Sequence, residues 1–180
     1  GATVRNVSKS QSLTVNANTT LATELVFKDV AGTADAYTIN FAKDAVAAAA
    51  GNVDAGFVTI DGIETVIVNS TGLATTTKNI IDLEADAAKS LVITGDKVID
   101  VKFTNGFGTA FTGTDGKGVS TIDASAATGV VTLGSLVTNL NVAAEGLTIK
   151  GGAGVDTITT GAITKATVAT LTIDSGAGND

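Results

Sequence analysis

A strand-and-turn unit that occurs twice near the end of the chain constrains the fold more than any other feature of the sequence. The first copy runs from Leu147 to Thr159 and reads Leu-Thr-Ile-Lys, Gly-Gly-Ala-Gly-Val-Asp, Thr-Ile-Thr. The second copy, residues 171–180, reads Leu-Thr-Ile-Asp followed by Ser-Gly-Ala-Gly-Asn-Asp. Glycine permits positive φ and lets backbone carbonyls crowd together. Each copy is therefore predicted to be a short strand followed by a tight turn that ends in an aspartate.

The first copy matches the nonapeptide pattern G-G-x-G-x-D-x-U-x, in which U is a large apolar residue. This pattern is typical of calcium-binding parallel β-rolls. Carbonyl and carboxylate oxygens are the hard ligands that Ca²⁺ prefers, so we predict a Ca²⁺ cofactor at these turns. The alternative is a pair of ordinary glycine-rich turns between strands. The predicted ligands are Gly151, Gly152, Ala153, Gly154 and Asp156 in the first turn, and Ser175, Gly176, Gly178 and Asp180 in the second.

The two turns resemble those of the RTX family, whose members are exported unfolded by type I secretion and fold outside the cell with calcium. The segments Gly62–Val66 and Ser120–Ala126 also resemble recurrent pieces of RTX-type S-layer proteins. The resemblance covers most of residues 60–180, and only the two turns are strongly specific. It implies a structural protein of the bacterial surface layer. Because Asp180 is the last residue of the sequence, we expect a segment of a longer RTX array.

The resemblance also implies an extracellular location on the bacterial cell surface and self-association into a lattice or oligomer. Contact with cell-surface polysaccharide would occur through parts outside this fragment. Two alternatives from other functional classes stay open. An RTX adhesin would bind a surface ligand on the segment 159–170 or the segment 104–118. A β-helix polysaccharide-modifying enzyme would use paired carboxylates, for which fourteen Asp and four Glu leave ample opportunity.

Composition excludes several other classes. The chain has no His, Cys, Met, Trp or Pro, which removes the usual ligands of zinc, iron and copper and the commonest general base. The net charge of −7 and a single arginine, Arg5, argue against a nucleic-acid partner. No apolar run approaches the roughly 18 residues of a membrane span. There is also no G-x-S-x-G elbow and no P-loop. We therefore predict no catalytic residue and no enzyme activity.

Alternating apolar residues predict strands in most of the chain. Early examples are Ser12–Asn16, Glu24–Lys28 and Ala36–Phe41, the last with three large apolar side chains on one face. Later predicted strands have cores at Ile81 and Leu83; Leu91 and Ile93; Ile99, Val101 and Phe103; Ile122; Val131 and Leu133; Leu140 and Val142; Leu147 and Ile149; Ile158; and Leu171 and Ile173. The predicted fold is all-β, a right-handed parallel β-helix or β-roll solenoid. Residues 1–60 form an N-terminal β-rich portion, and residues 61–180 form the regular solenoid with its RTX turns.

The spacing of the apolar residues predicts how the strands stack. Ile122, Leu140 and Ile158 lie 18 residues apart, and so do Val131 and Ile149. Eighteen is twice nine, the length of a β-roll coil with two strands. These residues are therefore expected to stack in two columns, with about six extra residues inserted after residue 159.

A few other segments carry individual predictions. Residues 44–50 are rich in alanine between Asp44 and Gly51, which predicts a short helical insertion. Asp35 is interpreted as an Asx-turn residue in preference to a relic cation site, and Glu64 as a structural carboxylate in preference to a functional one. Asp115 is assigned to a plain loop in preference to a calcium site. Finally, Asp123 and Ser125 are expected to form a turn.

Overall fold

The computed structural model describes residues 1–19, 21–42, 51–72, 76–108, 118–134, 146–160 and 170–180. Within these residues the chain is all-β, with fourteen strands in two seven-stranded sheets and no helix. Odd-numbered strands form sheet 1 and even-numbered strands form sheet 2, so successive strands belong to alternate sheets. The helix predicted at 44–50 lies outside the described residues.

The strand bounds are as follows. Sheet 1 contains β1 (Ala2–Val7), β3 (Thr23–Phe27), β5 (Gly51–Ile60), β7 (Thr76–Glu84), β9 (Ile99–Lys102), β11 (Val131–Leu133) and β13 (Thr157–Ile158). Sheet 2 contains β2 (Ser12–Val15), β4 (Ala36–Phe41), β6 (Thr65–Ser70), β8 (Ser90–Gly95), β10 (Thr121–Ala127), β12 (Leu147–Lys150) and β14 (Leu171–Asp174). Every pair of neighbouring strands is parallel. Strand pairing continues through residues 1–60 and 61–180 alike.

Period-two alternation decides which side chains are buried. In β4, Tyr37, Ile39 and Phe41 are buried while the residues between them are not, as the sequence predicts. The same alternation recurs in β6, where Val66 and Val68 are buried. Side chains of a strand point alternately to the two faces of its sheet. The inward residues of both sheets therefore join in one hydrophobic cluster.

The core is built from columns of aliphatic residues at equivalent strand positions. In sheet 2, Val66 lies opposite Leu91, Leu91 opposite Ile122, and Ile122 opposite Ile149, and all four side chains are fully buried. Each apolar side chain thus packs on the equivalent side chain of the neighbouring strand. Stability in such an arrangement depends on the neighbours on both sides.

The columns predicted from equal spacing are wrong. Ile122 lies opposite Ile149, whereas Ile158 belongs to the other sheet and lies opposite Leu133. Val131 lies in sheet 1 and Ile149 in sheet 2, so they share no column. Leu140 lies outside the described residues. Equal spacing does not identify partners here because the crossings between the sheets differ in length. The number of residues between a strand and its partner therefore varies along the chain.

The sequence spacing predicts an insertion between Ile149 and Ile173. In the structure these two residues are direct partners in the pairing of β12 with β14. The step from Leu91 to Ile122, which are also direct partners, is longer. The step from Ile149 to Ile173 is thus an ordinary one in this fold, and no insertion is needed to explain it.

Replacing Ile122 with alanine tests the column of sheet 2. Ile122 is fully buried between Leu91 and Ile149, so Ile122→Ala should lower the free energy of unfolding by about 2–5 kcal/mol, through lost burial and the cavity left behind. Urea denaturation followed by circular dichroism measures the change. Thr121→Ala is the matched control, because Thr121 is the neighbouring, partly exposed position and its change should stay within about 0.5 kcal/mol. Equal losses in the two variants would contradict the assignment of the inward face.

Candidate metal centre

The two glycine-rich turns stack at one edge of the fold, where strands of sheet 2 end. Residues 151–156 connect β12 to β13, and residues 175–180 follow β14. Because β12 pairs with β14 in register, with Ile149 opposite Ile173, the turns that follow them also lie next to each other. The structure thus brings together the two turns that the sequence singles out.

Backbone hydrogen bonds connect the stacked turns directly. The Gly151 N–H donates to the Asp174 carbonyl at 2.7 Å, and the Ala177 N–H donates to the Gly152 carbonyl at 2.9 Å. On the opposite side, the Ala153 N–H donates to the Ala127 carbonyl, at the end of β10, at 2.9 Å. The first turn is therefore held between the end of β10 and the second turn.

Close packing explains the glycines of these turns. A Cβ atom on Gly151 would overlap the Ser175 carbonyl oxygen, and one on Gly152 would overlap that of Ala127. A Cβ atom on Gly176 would likewise overlap the Gly152 carbonyl oxygen. Since any larger residue would push the turns apart, glycine is required here by close approach. The result is a series of backbone carbonyl oxygens packed against neighbouring turns.

The remaining predicted ligands follow the same stacking. Gly154 lies against Gly129, where a Cβ would come within 2.8 Å of the Gly129 carbonyl group. Gly178, at φ +130°, lies in turn against the Gly154 carbonyl oxygen. Ala153 and the whole second turn, including Ser175, are exposed to solvent. In the first turn Gly151, Gly152 and Asp156 are thus buried, whereas every residue of the second turn is exposed.

Asp156 is the most deeply buried carboxylate of the two turns, with 5% of its surface exposed. Its Oδ1 accepts a hydrogen bond from the Val131 N–H at 2.8 Å, and its Oδ2 accepts one from the Gly152 N–H at 2.5 Å. Hydrogen bonds to an ionised acceptor are about twice as strong as neutral ones. The carboxylate therefore connects its own turn to the start of β11.

Asp180 repeats half of this arrangement. Its Oδ1 accepts a hydrogen bond from the Asp156 N–H at 2.9 Å. Thr132 lies opposite Thr157, so Val131, the first residue of β11, and Asp156, the residue just before β13, occupy equivalent positions. Each of the two aspartates therefore accepts a hydrogen bond from the backbone amide of the residue at its own position in the preceding turn of the stack. The sequence does not reveal this role, because the amide partner is distant along the chain and any residue but proline could supply it.

The chemistry of the donor set fits Ca²⁺. The two turns offer carboxylate and carbonyl oxygens and the Ser175 hydroxyl. A carboxylate has about four lone-pair sites, so its two N–H partners leave Asp156 with acceptor capacity. In the described part of the chain, no lysine or arginine forms an ion pair with Asp156 or Asp180. Nor does any group of three or more acidic side chains suited to a metal occur among the described residues. A cation here would depend on backbone carbonyls for much of its coordination.

Asp35 and Glu64 meet at the opposite edge of the fold. The Glu64 Oε2 accepts a hydrogen bond from the Asp35 N–H at 2.8 Å, and Glu64 is buried. The Asp35 carboxylate forms an ion pair with Lys9 at 2.8 Å and raises the pKa of that lysine. Both carboxylates thus connect neighbouring strands, which agrees with the structural interpretation of Glu64. Asp115 lies outside the described residues.

Asp123 and Ser125 do not form a turn between strands, so that prediction is wrong. Both lie within β10, at an irregularity where its register with β8 shifts. The Asp123 Oδ1 accepts hydrogen bonds from the Ser125 hydroxyl at 2.6 Å and from the Ser125 N–H at 3.0 Å. These bonds, followed by the nearby Lys150, lower the pKa of Asp123. The local hydrogen bonding expected of a turn is present, but it occurs inside a strand instead.

Asp61 and Asp86 form a second pair of adjacent carboxylates. Asp61 lies in the crossing between β5 and β6, and Asp86 lies in the crossing between β7 and β8. The Gly62 N–H donates to the Asp86 Oδ1 at 2.8 Å. Partial burial, and then the negative charge of Asp86, raise the pKa of Asp61. Asp61 is therefore an aspartate whose ionisation opposes folding.

No protein-family model and no curated protein matches the chain. Among the described residues, no helix has the length and apolar character needed to cross a bilayer.

Changing Asp156 to asparagine tests its hydrogen bonds without calcium. Asparagine offers one acceptor oxygen, so either the Val131 or the Gly152 N–H loses its partner inside the protein. In a chelating buffer, Asp156→Asn should lower the free energy of unfolding by about 1–3 kcal/mol, as measured by urea denaturation. Asp96→Asn is the control for lost charge, because the Asp96 side chain is 61% exposed and its ion pair is with the adjacent Lys97. No difference between the two variants would contradict the structural role of Asp156.

The two shifted aspartates predict opposite effects of pH. Asp61 has a raised pKa, so its stabilising contribution is present below its unfolded pKa and is lost as pH rises through the folded value. Asp61→Asn should therefore raise the urea midpoint at pH 7 and change little below about pH 3. Asp123 has a lowered pKa, so its contribution is present above the unfolded pKa and is lost in acid. Asp123→Asn should lower the midpoint at pH 7, and equal signs for the two variants would contradict these assignments.

Proposed function

We propose that the chain is a structural segment of a bacterial surface layer, a right-handed parallel β-solenoid that folds and assembles outside the cell with Ca²⁺. The observation that carries this proposal is the stacking of two RTX-like turns, in which Asp156 and Asp180 sit at equivalent positions of neighbouring turns. No catalytic role is assigned to any residue.

Three features of the described strands support a solenoid. The chain alternates between two sheets, all neighbouring strands are parallel, and the inward aliphatic residues form a single narrow core. A chain that keeps adding such strand pairs extends in one direction and contacts only its neighbours. Such a fold suits a structural protein, because repeating the same strand pair lengthens the molecule without requiring any new type of contact.

The outer surface of sheet 2 supports a structural role as well. One row of its outward positions is a column of hydroxyl side chains: Thr65, Ser90, Thr121, Thr148 and Thr172. Such a column offers the same small polar group on every strand and no concentration of titratable chemistry. A repetitive surface of this kind suits packing against other copies in a layer.

Calcium dependence follows from the charges of the stacked turns. Asp156 and Asp180 bring negative charge to neighbouring turns in a chain of net charge −7, and their mutual repulsion favours the unfolded state. Carbonyls of Gly151 to Gly154 and of Ser175 to Gly178 would complete the ligand set around the two carboxylates. Bound Ca²⁺ supplies the positive charge that offsets this repulsion. The chain would then stay unfolded for export where calcium is scarce, and binding energy would become folding energy outside the cell.

A calcium titration tests this proposal, and Asp180→Asn is the most informative variant. Asparagine at position 180 retains an oxygen that can accept the Asp156 N–H but removes the charge. For the wild type, calcium at about 100 times its dissociation constant should raise the free energy of unfolding by about 2.7 kcal/mol. In Asp180→Asn most of this increment should disappear, while stability in chelator should change by less than about 1 kcal/mol.

The control is Asp96→Asn, which removes an exposed aspartate from the crossing between β8 and β9, at the same edge of the fold. It should retain the full calcium increment. Magnesium at the same concentration is the second control, since Mg²⁺ requires a tighter octahedral site. A wild-type chain whose urea midpoint is identical in calcium and in chelator would refute the calcium proposal.

A further inference from the structure

The crossing between β5 and β6 contains an Asp-Gly pair, Asp61–Gly62, in a tight turn. Asp61 is exposed, and Gly62 has φ +76°, a backbone conformation that favours glycine. In an Asp-Gly pair the amide nitrogen of the glycine can attack the side-chain carboxyl group of the aspartate, because no side chain shields that nitrogen. The product is a cyclic imide, a succinimide. The pair therefore supplies both reacting groups of a change in the main chain.

Asp86 supplies the proton acceptor that this reaction needs. An amide nitrogen is a poor nucleophile while it keeps its proton. The Gly62 N–H donates to the Asp86 Oδ1 at 2.8 Å, which is within the range over which a carboxylate can take a proton from a reacting group. Asp86 lies 24 residues after Gly62, so only the folded chain brings the two together.

The surroundings of Asp61 favour the form of its side chain that reacts. A protonated carboxyl group is attacked more readily than a carboxylate, because its hydroxyl can leave as water. Partial burial raises the pKa of Asp61, and the negative charge of Asp86 raises it further. Glu84 and Glu24 act in the same direction. Within the described residues, no lysine or arginine forms an ion pair with Asp61.

Water can reach the reacting groups. Asp61, Gly62 and Asp86 line a surface cavity of about 340 Å³, together with Glu24 and Val30. Formation of the imide releases a water molecule, and opening of the imide consumes one. The cavity therefore provides access for both steps.

We propose that Asp61–Gly62 is a self-modification site at which Asp86 carries the proton. The Gly62 nitrogen forms a bond to the Asp61 Cγ while its proton passes to the Asp86 carboxylate. Asp86 then returns the proton to the departing Asp61 hydroxyl, which leaves as water as the Cγ–O bond breaks. A second water molecule opens the imide, at the main-chain carbonyl to give isoaspartate or at Cγ to restore aspartate. The reaction consumes no cofactor and does not depend on calcium.

Isoaspartate would alter the start of β6. It adds a methylene group to the main chain between residues 61 and 62. The next two residues are Ile63, which is fully buried, and Glu64, whose Oε2 accepts a hydrogen bond from the Asp35 N–H at 2.8 Å. The positions of both depend on where β6 begins. The converted protein should therefore have a lower urea midpoint than the unconverted protein.

Asp86→Asn tests the proton transfer. Asparagine keeps an oxygen that can accept the Gly62 N–H, but it does not take the proton. After incubation at neutral pH, isoaspartate is measured with L-isoaspartate methyltransferase and in the tryptic peptide 44–78, which contains a single Asp-Gly pair. In native buffer, Asp86→Asn should form isoaspartate at least about tenfold more slowly than the wild type. In concentrated urea, where folding no longer brings Asp86 to Gly62, the two proteins should react at the same rate.

Glu84→Gln is the matched control for lost charge. It removes a negative charge that acts on Asp61, while glutamine keeps an oxygen that can accept the Thr59 hydroxyl. This variant should react at the wild-type rate. Equal native rates in the wild type and Asp86→Asn, including no isoaspartate in either, would overturn the proposal. A difference that persists in urea would overturn it as well, and so would an equal slowing in Glu84→Gln.

Discussion

Parallel pairing between each strand and the strand two positions later is the constraint on which the rest of this structure depends. It fixes β12 beside β14 and β11 beside β13, and the turns between them then have to stack. Side chains at equivalent positions of neighbouring strands are consequently similar: aliphatic side chains pack on aliphatic ones in the core, and hydroxyl side chains lie beside hydroxyl ones outside. The turns likewise stack on one another at the edges. Cooperation between neighbours, rather than any single interaction, stabilises the fold.

The sequence predicts the inward face of each strand well, because alternation is a local property. Tyr37, Ile39 and Phe41 are an example, since their burial follows from period two alone. The sequence predicts the pairing partner of each strand poorly, because the partner depends on the lengths of the two crossings that lie between them. The equal spacing of Ile122 and Ile158 illustrates the difficulty: the crossings place these residues in different sheets. Phe107 shows the same limit, since a residue of a glycine-rich loop returns to the core and is fully buried beside the end of β7.

At the candidate site, the sequence identifies the turns but not what their aspartate does in the folded chain. The glycines can be predicted, because only they tolerate the close approach of Gly152 to the Ala127 carbonyl. The hydrogen bond from the Val131 N–H to Asp156 cannot be predicted, since it joins the first residue of β11 to the crossing between β12 and β13. The first turn resembles a metal-binding loop, yet its carboxylate already accepts a hydrogen bond from the first residue of β11.

The two aspartates therefore differ in what a cation can add. Asp156 is buried and each of its oxygens accepts a hydrogen bond from a backbone amide, so part of its acceptor capacity is already used. Asp180 is exposed and shares one oxygen with the Asp156 N–H, so most of its acceptor capacity is still available. Of the two carboxylates, Asp180 therefore has the larger free acceptor capacity for the Ca²⁺ of the proposed function.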